Sequence, residues 1–256
     1  MNRIARRILK VFAWVGLAIV LLFALQVSIL AFPSPWFDGS VRKENLSLYY
    51  KGAARAEMQA LVEDVLRRVQ TAEVYREDVH LRVFICPSQD LFDVFARLSR
   101  VPTSVPGFNL SLLNNSFVSM PRLEQRRAAN RGLVTHSAID GGLAHGVAHE
   151  LIHDYVRERI GYREHLRIPR WKSEGYAEYA ANRTAVRLDS RATLARRIEI
   201  LQDELTDARA RDYYEAVLIV EFLAEQQGYS FAEIMAGDVT RQTARRQLMA
   251  WYADRR

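Results

Sequence analysis

Cysteine is almost absent. Cys86 stands alone among 256 residues, so no disulfide can close within the chain and no cysteine-based zinc knuckle can form. Proline (7) and glycine (12) are too sparse for a collagen-like or linker-rich chain. No internal repeat and no low-complexity tract occurs, which excludes solenoids and mucin-like stalks. Acidic residues are missing from the first 37 positions, where Arg3, Arg6, Arg7 and Lys10 are the only charges. The net charge of +6 is therefore largely local: without those four, 32 basic residues face 30 acidic ones. A duplex-binding domain needs a concentrated basic stripe. The one late cluster, Arg241, Arg245, Arg246, Arg255 and Arg256, reads instead as a solvated helix face. Nucleic acid is not an expected partner.

What is present is ordinary globular composition, 49% hydrophobic and 26% charged. The length suits one substantial domain plus an appendage, large enough to bury a core without covalent staples. The appendage is at the start. From Val11 to Phe32 the chain carries no charge and a single amide, Gln26. As a helix this run spans about 33 Å, enough for a hydrocarbon core near 30 Å. A cleavable signal would have a shorter apolar region ending in small residues; Ile29 and Leu30 sit where those residues would help a peptidase. The run is therefore expected to be an uncleaved anchor. Arg3, Arg6, Arg7 and Lys10 mark its cytoplasmic side, and Trp36 and Phe37 suit the far interface. The expected organisation is a basic tail over 1–10, an anchor over 11–32, a tether over 33–52 and a folded domain over 53–256 outside the cytoplasmic membrane.

Along that domain, Met58, Leu61, Val62, Val65, Leu66 and Val69 recur at three and four residues, one stripe of a helix. His80 to Cys86 alternates like a strand ended by Pro87, and Ser88 can cap the helix that follows. Residues 101–116 hold two prolines, a glycine and three asparagines and read as loop. A short strand is expected at Phe117–Met120, an Arg-rich turn at 122–131 and a further strand at Leu133–Ile139. Beyond Asp140 the pattern is almost wholly helical. Helix and strands followed by helices give an α+β fold, a few-stranded sheet with a mainly helical C-terminal part.

Two stretches carry chemistry. Between Asp140, a possible helix cap, and Gly161, a natural stop, lies His149-Glu150-Leu151-Ile152-His153. Four residues advance a helix by about 400°, so the two imidazoles stand one turn apart on one face, ready to ligate zinc. Glu150 occupies the adjoining strip, where a general base for water activation belongs. His145 lies one turn earlier, but its accumulated offset makes it a better supporting residue than a ligand. A catalytic zinc needs a third protein ligand and an open position. Glu174, in Trp171-Lys172-Ser173-Glu174-Gly175-Tyr176-Ala177-Glu178, follows His153 by 21 residues, long enough for the chain to turn and return a second helix from near Pro169. Glu178, one turn later on the same face, can hydrogen-bond the far nitrogen of His149 or His153.

HELIH followed by WKSEGYAEY resembles the gluzincin metallopeptidases, in which HExxH is completed by a glutamate of a W-x-x-E-G-x-A-E segment. The resemblance implies His149, His153 and Glu174 as zinc ligands, Glu150 as general base, and a sheet edge strand beside the active-site helix that holds substrate in extended form. Leu133–Ile139 is the expected edge strand. It also implies a downstream tyrosine supporting the tetrahedral intermediate. Tyr213 matches best, Tyr214 next, and packing of either ring on the core is the competing reading. No G-x-M-E-N segment, which binds a free amino terminus in the aminopeptidases of that group, is found. The expected function is a membrane-anchored zinc protease cleaving peptide or protein substrates internally. The alternatives are a non-catalytic zinc-binding or partner-binding protein on the same fold and a metal-free interaction module.

Overall fold

A mixed five-stranded sheet separates two apolar layers, and the order of its strands places the chemistry at one edge. The computed structural model describes residues 3–129, 142–182, 190–203 and 208–255. Helix α1 (Arg3–Ala31) leads through a 3-10 turn at Ser34–Trp36 into a hairpin, β1 (Gly39–Lys43) and β2 (Leu46–Tyr50). Helix α2 (Arg55–Val69), strand β3 (Leu81–Cys86), helix α3 (Gln89–Leu98), and strands β4 (Gly107–Leu110) and β5 (Asn115–Ser119) follow. The elements described after β5 are all helical: α4 (Met120–Ala129), α5 (Leu143–Ile160), α6 (Tyr162–His165), α7 (Arg170–Asn182), α8 (Ser190–Asp203), α9 (Ala208–Glu221), α10 (Phe231–Ala236) and α11 (Arg241–Ala253). This is the α+β class expected.

The sheet runs β1-β2-β3-β5-β4. Strands β2, β3 and β5 are parallel, and the two edge strands are antiparallel to their neighbours. Alternation along β3 explains the layers. Leu81, Val83 and Ile85 enter the large core with α2, α5, α7 and α9, while Phe84 and Cys86 face the opposite side with Phe92, Phe95, Phe108 and Phe117. That second core is an aromatic stack; Phe84 and Phe117 centroids lie 5.1 Å apart, Phe95 and Phe117 4.5 Å.

Several expectations are corrected. Residues 39–50, expected within a tether, are strands β1 and β2. Glu44 takes a positive φ of 51° in the two-residue turn between them, and the buried Asn45 amide donates to the Arg76 and Val79 carbonyls at 2.8 and 3.0 Å. Phe37, expected at a membrane interface, is 9% exposed and packs on Phe84 and Phe95, whereas Trp36 stays exposed. The loop read over 101–116 contains edge strand β4. The Arg-rich turn at 122–131 is helix α4 as far as Ala129. Ser119 Oγ accepts from the Arg122 N–H at 3.3 Å and Pro121 sits in the first turn, a capped start that outweighs the run of charge. The strand expected at 133–139 and the Asp140 cap lie outside the described residues; Gly142 occupies the cap position of α5.

Helix α1 includes 22 residues, Lys10–Ala31, of mean hydropathy 2.4, long and apolar enough to cross a membrane. It is not loosely joined to the domain. Leu30 is 8% exposed within the aromatic core, and its carbonyl accepts from Asn115 Nδ2 at 2.8 Å.

Candidate metal centre

Helix α5 begins at Gly142 and ends at Gly161, whose φ of 90° suits a residue without a side chain. Gly146 inside it would be expected to weaken the helix by about 1 kcal/mol relative to alanine. Its role is contact: a Cβ there would lie 2.7 Å from Leu123 Cδ1, so α4 packs directly on the helix backbone. Helix α7 starts at Pro169, whose carbonyl accepts from the Lys172 and Ser173 amides. Gly175 lets α7 press on α9, since a Cβ would stand 2.6 Å from the Ala216 carbonyl oxygen. These two close approaches seat the histidine helix on α4 and the glutamate helix on α9.

The result is convergence. His149 Nε2 and His153 Nε2 lie 3.2 Å apart, and Glu174 Oε2 is 3.6 Å from His149 Nε2. One ligand atom from each residue falls within 4.8 Å of the others. Four tetrahedral bonds of about 2.0–2.1 Å to a zinc ion would set neighbouring ligand atoms about 3.3–3.4 Å apart, so the donors fit in type and the two separations from His149 Nε2 lie close to that spacing. The outward nitrogens are held from behind. Glu178, fully buried, places Oε2 3.1 Å from His149 Nδ1, and Ser173 Oγ lies 3.2 Å from His153 Nδ1. A proton on Nδ1, on the side that faces the Glu178 carboxylate, leaves the His149 Nε2 lone pair pointing into the cluster.

The buried groups of the cluster shift one another's protonation. Burial opposes charge on His149, but hydrogen bonds to Glu174 and Glu178 and their charges outweigh it and raise its pKa to about 10. Burial and the neighbouring His149 charge push His153 down to about 3. Burial favours a neutral Glu174, yet the His149 hydrogen bond and charge prevail and lower it to about 2. Glu178 is likewise held well below the usual carboxylate range by His145 and His149, against its burial.

Glu150 packs against the sheet edge. Its Oε1 occupies the space beside Gly107 of β4, where a Cβ would come within 2.6 Å of it. Asn109 Nδ2 of the same strand donates to the Glu150 carbonyl at 2.6 Å. The edge strand beside the histidine helix is therefore β4, and among the described residues no strand pairs with its outer edge. Behind the helix, buried Asp154 accepts from Ser116 Oγ at 2.8 Å and from Arg157 at 3.0 Å, which ties α5 to β5. Burial raises Asp154 to about 6, with Arg157 acting against that rise.

Neither a protein-family model nor a curated protein matches this chain. Its site is therefore read from its own residues.

Of the residues singled out in the sequence, His149, His153 and Glu174 are brought together, and Glu178 stands behind His149. His145 is not in the cluster. Its Nε2 contacts Glu178 Oε1 at 2.9 Å, so it braces the brace. The Tyr213 hydroxyl donates to Glu178 Oε2 at 2.5 Å, the same oxygen that faces His149 Nδ1, which places it with the groups behind His149. Tyr214 is buried among the core residues. Sequence reasoning missed Ser173, Gly107 and Asn109. Ser173 was findable, being adjacent to Glu174 and one step around the same helix. The two β4 residues were hidden in a stretch whose Pro, Gly and Asn content signals loop.

Proposed function

We propose that this chain is a membrane-anchored zinc endopeptidase with its catalytic domain on the extracytoplasmic side. The carrying observation is the meeting of two imidazole Nε2 atoms at 3.2 Å with a carboxylate at 3.6 Å, each imidazole steadied through its other nitrogen. His149, His153 and Glu174 would hold the ion. Bound there, zinc supplies Lewis acidity, polarising a carbonyl and lowering the pKa of water. Glu150, beside the ligands and against Gly107, takes the proton from the attacking water and passes it to the departing amine. The outer edge of β4, with which no described strand pairs, offers backbone groups to an extended peptide, as strand addition requires. The apolar α1 helix and the basic residues before it support the anchor and its orientation.

The test is elemental analysis of the full-length protein with proteomic mapping of cleaved peptides, wild type beside Glu150→Gln. About one zinc per chain is expected in both, with cleavage lost by about 10²–10⁴ in the variant. A wild type that binds no zinc sinks the reading. Zinc without any cleavage leaves a non-catalytic zinc protein.

A further inference from the structure

The single amide in the apolar run has a partner outside the helix. Gln26 Nε2 donates to the Leu98 carbonyl at 2.6 Å, joining α1 to the last residue of α3. Gln26 precedes Ala31, the end of α1, by five residues, or about 7.5 Å along the axis. If the 22-residue stretch spans the hydrocarbon, Gln26 lies several ångströms inside its far boundary, and the α3 terminus lies at that depth with it. Both groups are costly in lipid when alone: a side-chain amide, and a carbonyl from the helix turn that has no intrahelical donors. Paired, each satisfies the other.

What surrounds the pair suits a lipid boundary. Phe32 is 70% exposed, Trp36 44% and Val94 38%, all where α1 meets the domain. Two arginines flank them: Arg97, whose side chain is 76% exposed and reaches Asp93 at 3.5 Å, and exposed Arg100. Apolar side chains with an interfacial tryptophan and long basic side chains form the usual composition of a surface seated among phospholipid headgroups.

We propose that residues 94–101, the end of α3 and the turn after it, sit at the junction of headgroups and acyl chains of the same phospholipid bilayer that α1 crosses. The domain thus rests on the membrane instead of standing off it. The proposal rests on α1 spanning that bilayer, and the experiment separates the two. Nitroxide labels are placed on Val94→Cys and Arg97→Cys in the full-length protein, reconstituted in nanodiscs of phosphatidylethanolamine and phosphatidylglycerol. Cys86 is fully buried and takes no label. Leu166→Cys, 66% exposed just after α6, is the aqueous reference. Collision with oxygen relative to a water-soluble nickel chelate is expected to be several-fold higher at positions 94 and 97 than at 166. Ratios equal to that of position 166 overturn the docking. An alkaline carbonate wash of membranes reports on the span independently. Release of the protein overturns both ideas, whereas retention with water-like labels overturns the docking alone.

Discussion

His149 and His153 aim their Nε2 atoms at one another because Glu178 and Ser173 occupy the opposite faces of the rings. Tyr213, attached to Glu178, belongs to that support. On zinc-saturated protein Tyr213→Phe should leave kcat close to wild type while weakening zinc affinity, by up to the about 10–100-fold typical of outer partners. Competition with a chromogenic chelator measures the affinity. A large fall in kcat at full zinc occupancy would restore Tyr213 to the reaction itself. The protons supply a second prediction. After chelation, the raised His149 contributes stability that is complete below 6.5 and disappears as pH climbs towards 10. The depressed His153 contributes stability that is complete above 6.5 and disappears as pH falls towards 3; Glu174 adds a loss of the same sign between 4.5 and about 2. The Tm of the metal-free protein should therefore peak near pH 6.5 and decline on both sides. A Tm that is flat from pH 6.5 to 9 contradicts the raised His149.

At the scale of elements, β4 matters most for its small side chains. Gly107→Val would drive the Glu150 carboxylate from its place, since even a Cβ would stand 2.6 Å from Oε1. Hydrolysis should fall at least about tenfold through a misplaced base, with zinc content unchanged. Loss of zinc together with activity would show that the substitution disturbs the whole helix instead. The strand itself was not legible from the sequence. It is four residues long, opens with glycine, and its identity comes from pairing with β5 and from α5 alongside, both non-local. The β1–β2 hairpin was obscure for a similar reason: Glu44-Asn45 is not a usual hairpin turn, and Asn45 holds its shape through Arg76, Val79 and Tyr155, far along the chain. By contrast α2, β3, α3 and the two site helices were readable, because apolar spacing and caps such as Ser88 and Gly161 act locally. The three metal-binding candidates were readable for the same reason: two depend only on helical repeat. The contact of Tyr213 with Glu178 was not legible, because which way α9 turns its aromatic side chains is decided by the helix it packs on.

For the molecule as a whole, the second, aromatic core shared by α1 and the sheet alters how the protein should be handled. Leu30 and Phe37 are buried with Phe84, Phe92, Phe95 and Phe117. A chain starting at residue 38 loses both, at about 1.5–3 kcal/mol each. It should unfold at lower denaturant than one starting at residue 28 and bind a hydrophobic dye at the exposed aromatic layer. Equal midpoints for the two would mean the layer closes without them.

Between Ala31 and Gly39 there is little slack, because Phe37 is packed away and Asn115 grips the Leu30 carbonyl. Torque applied to α1 about its own axis would therefore be delivered to β5 and, through Ser116 and Asp154, to the histidine helix. Another protein clasping α1 would steer the face that carries His149, His153 and Glu174 like a shaft turning a rudder, with no need to touch the domain.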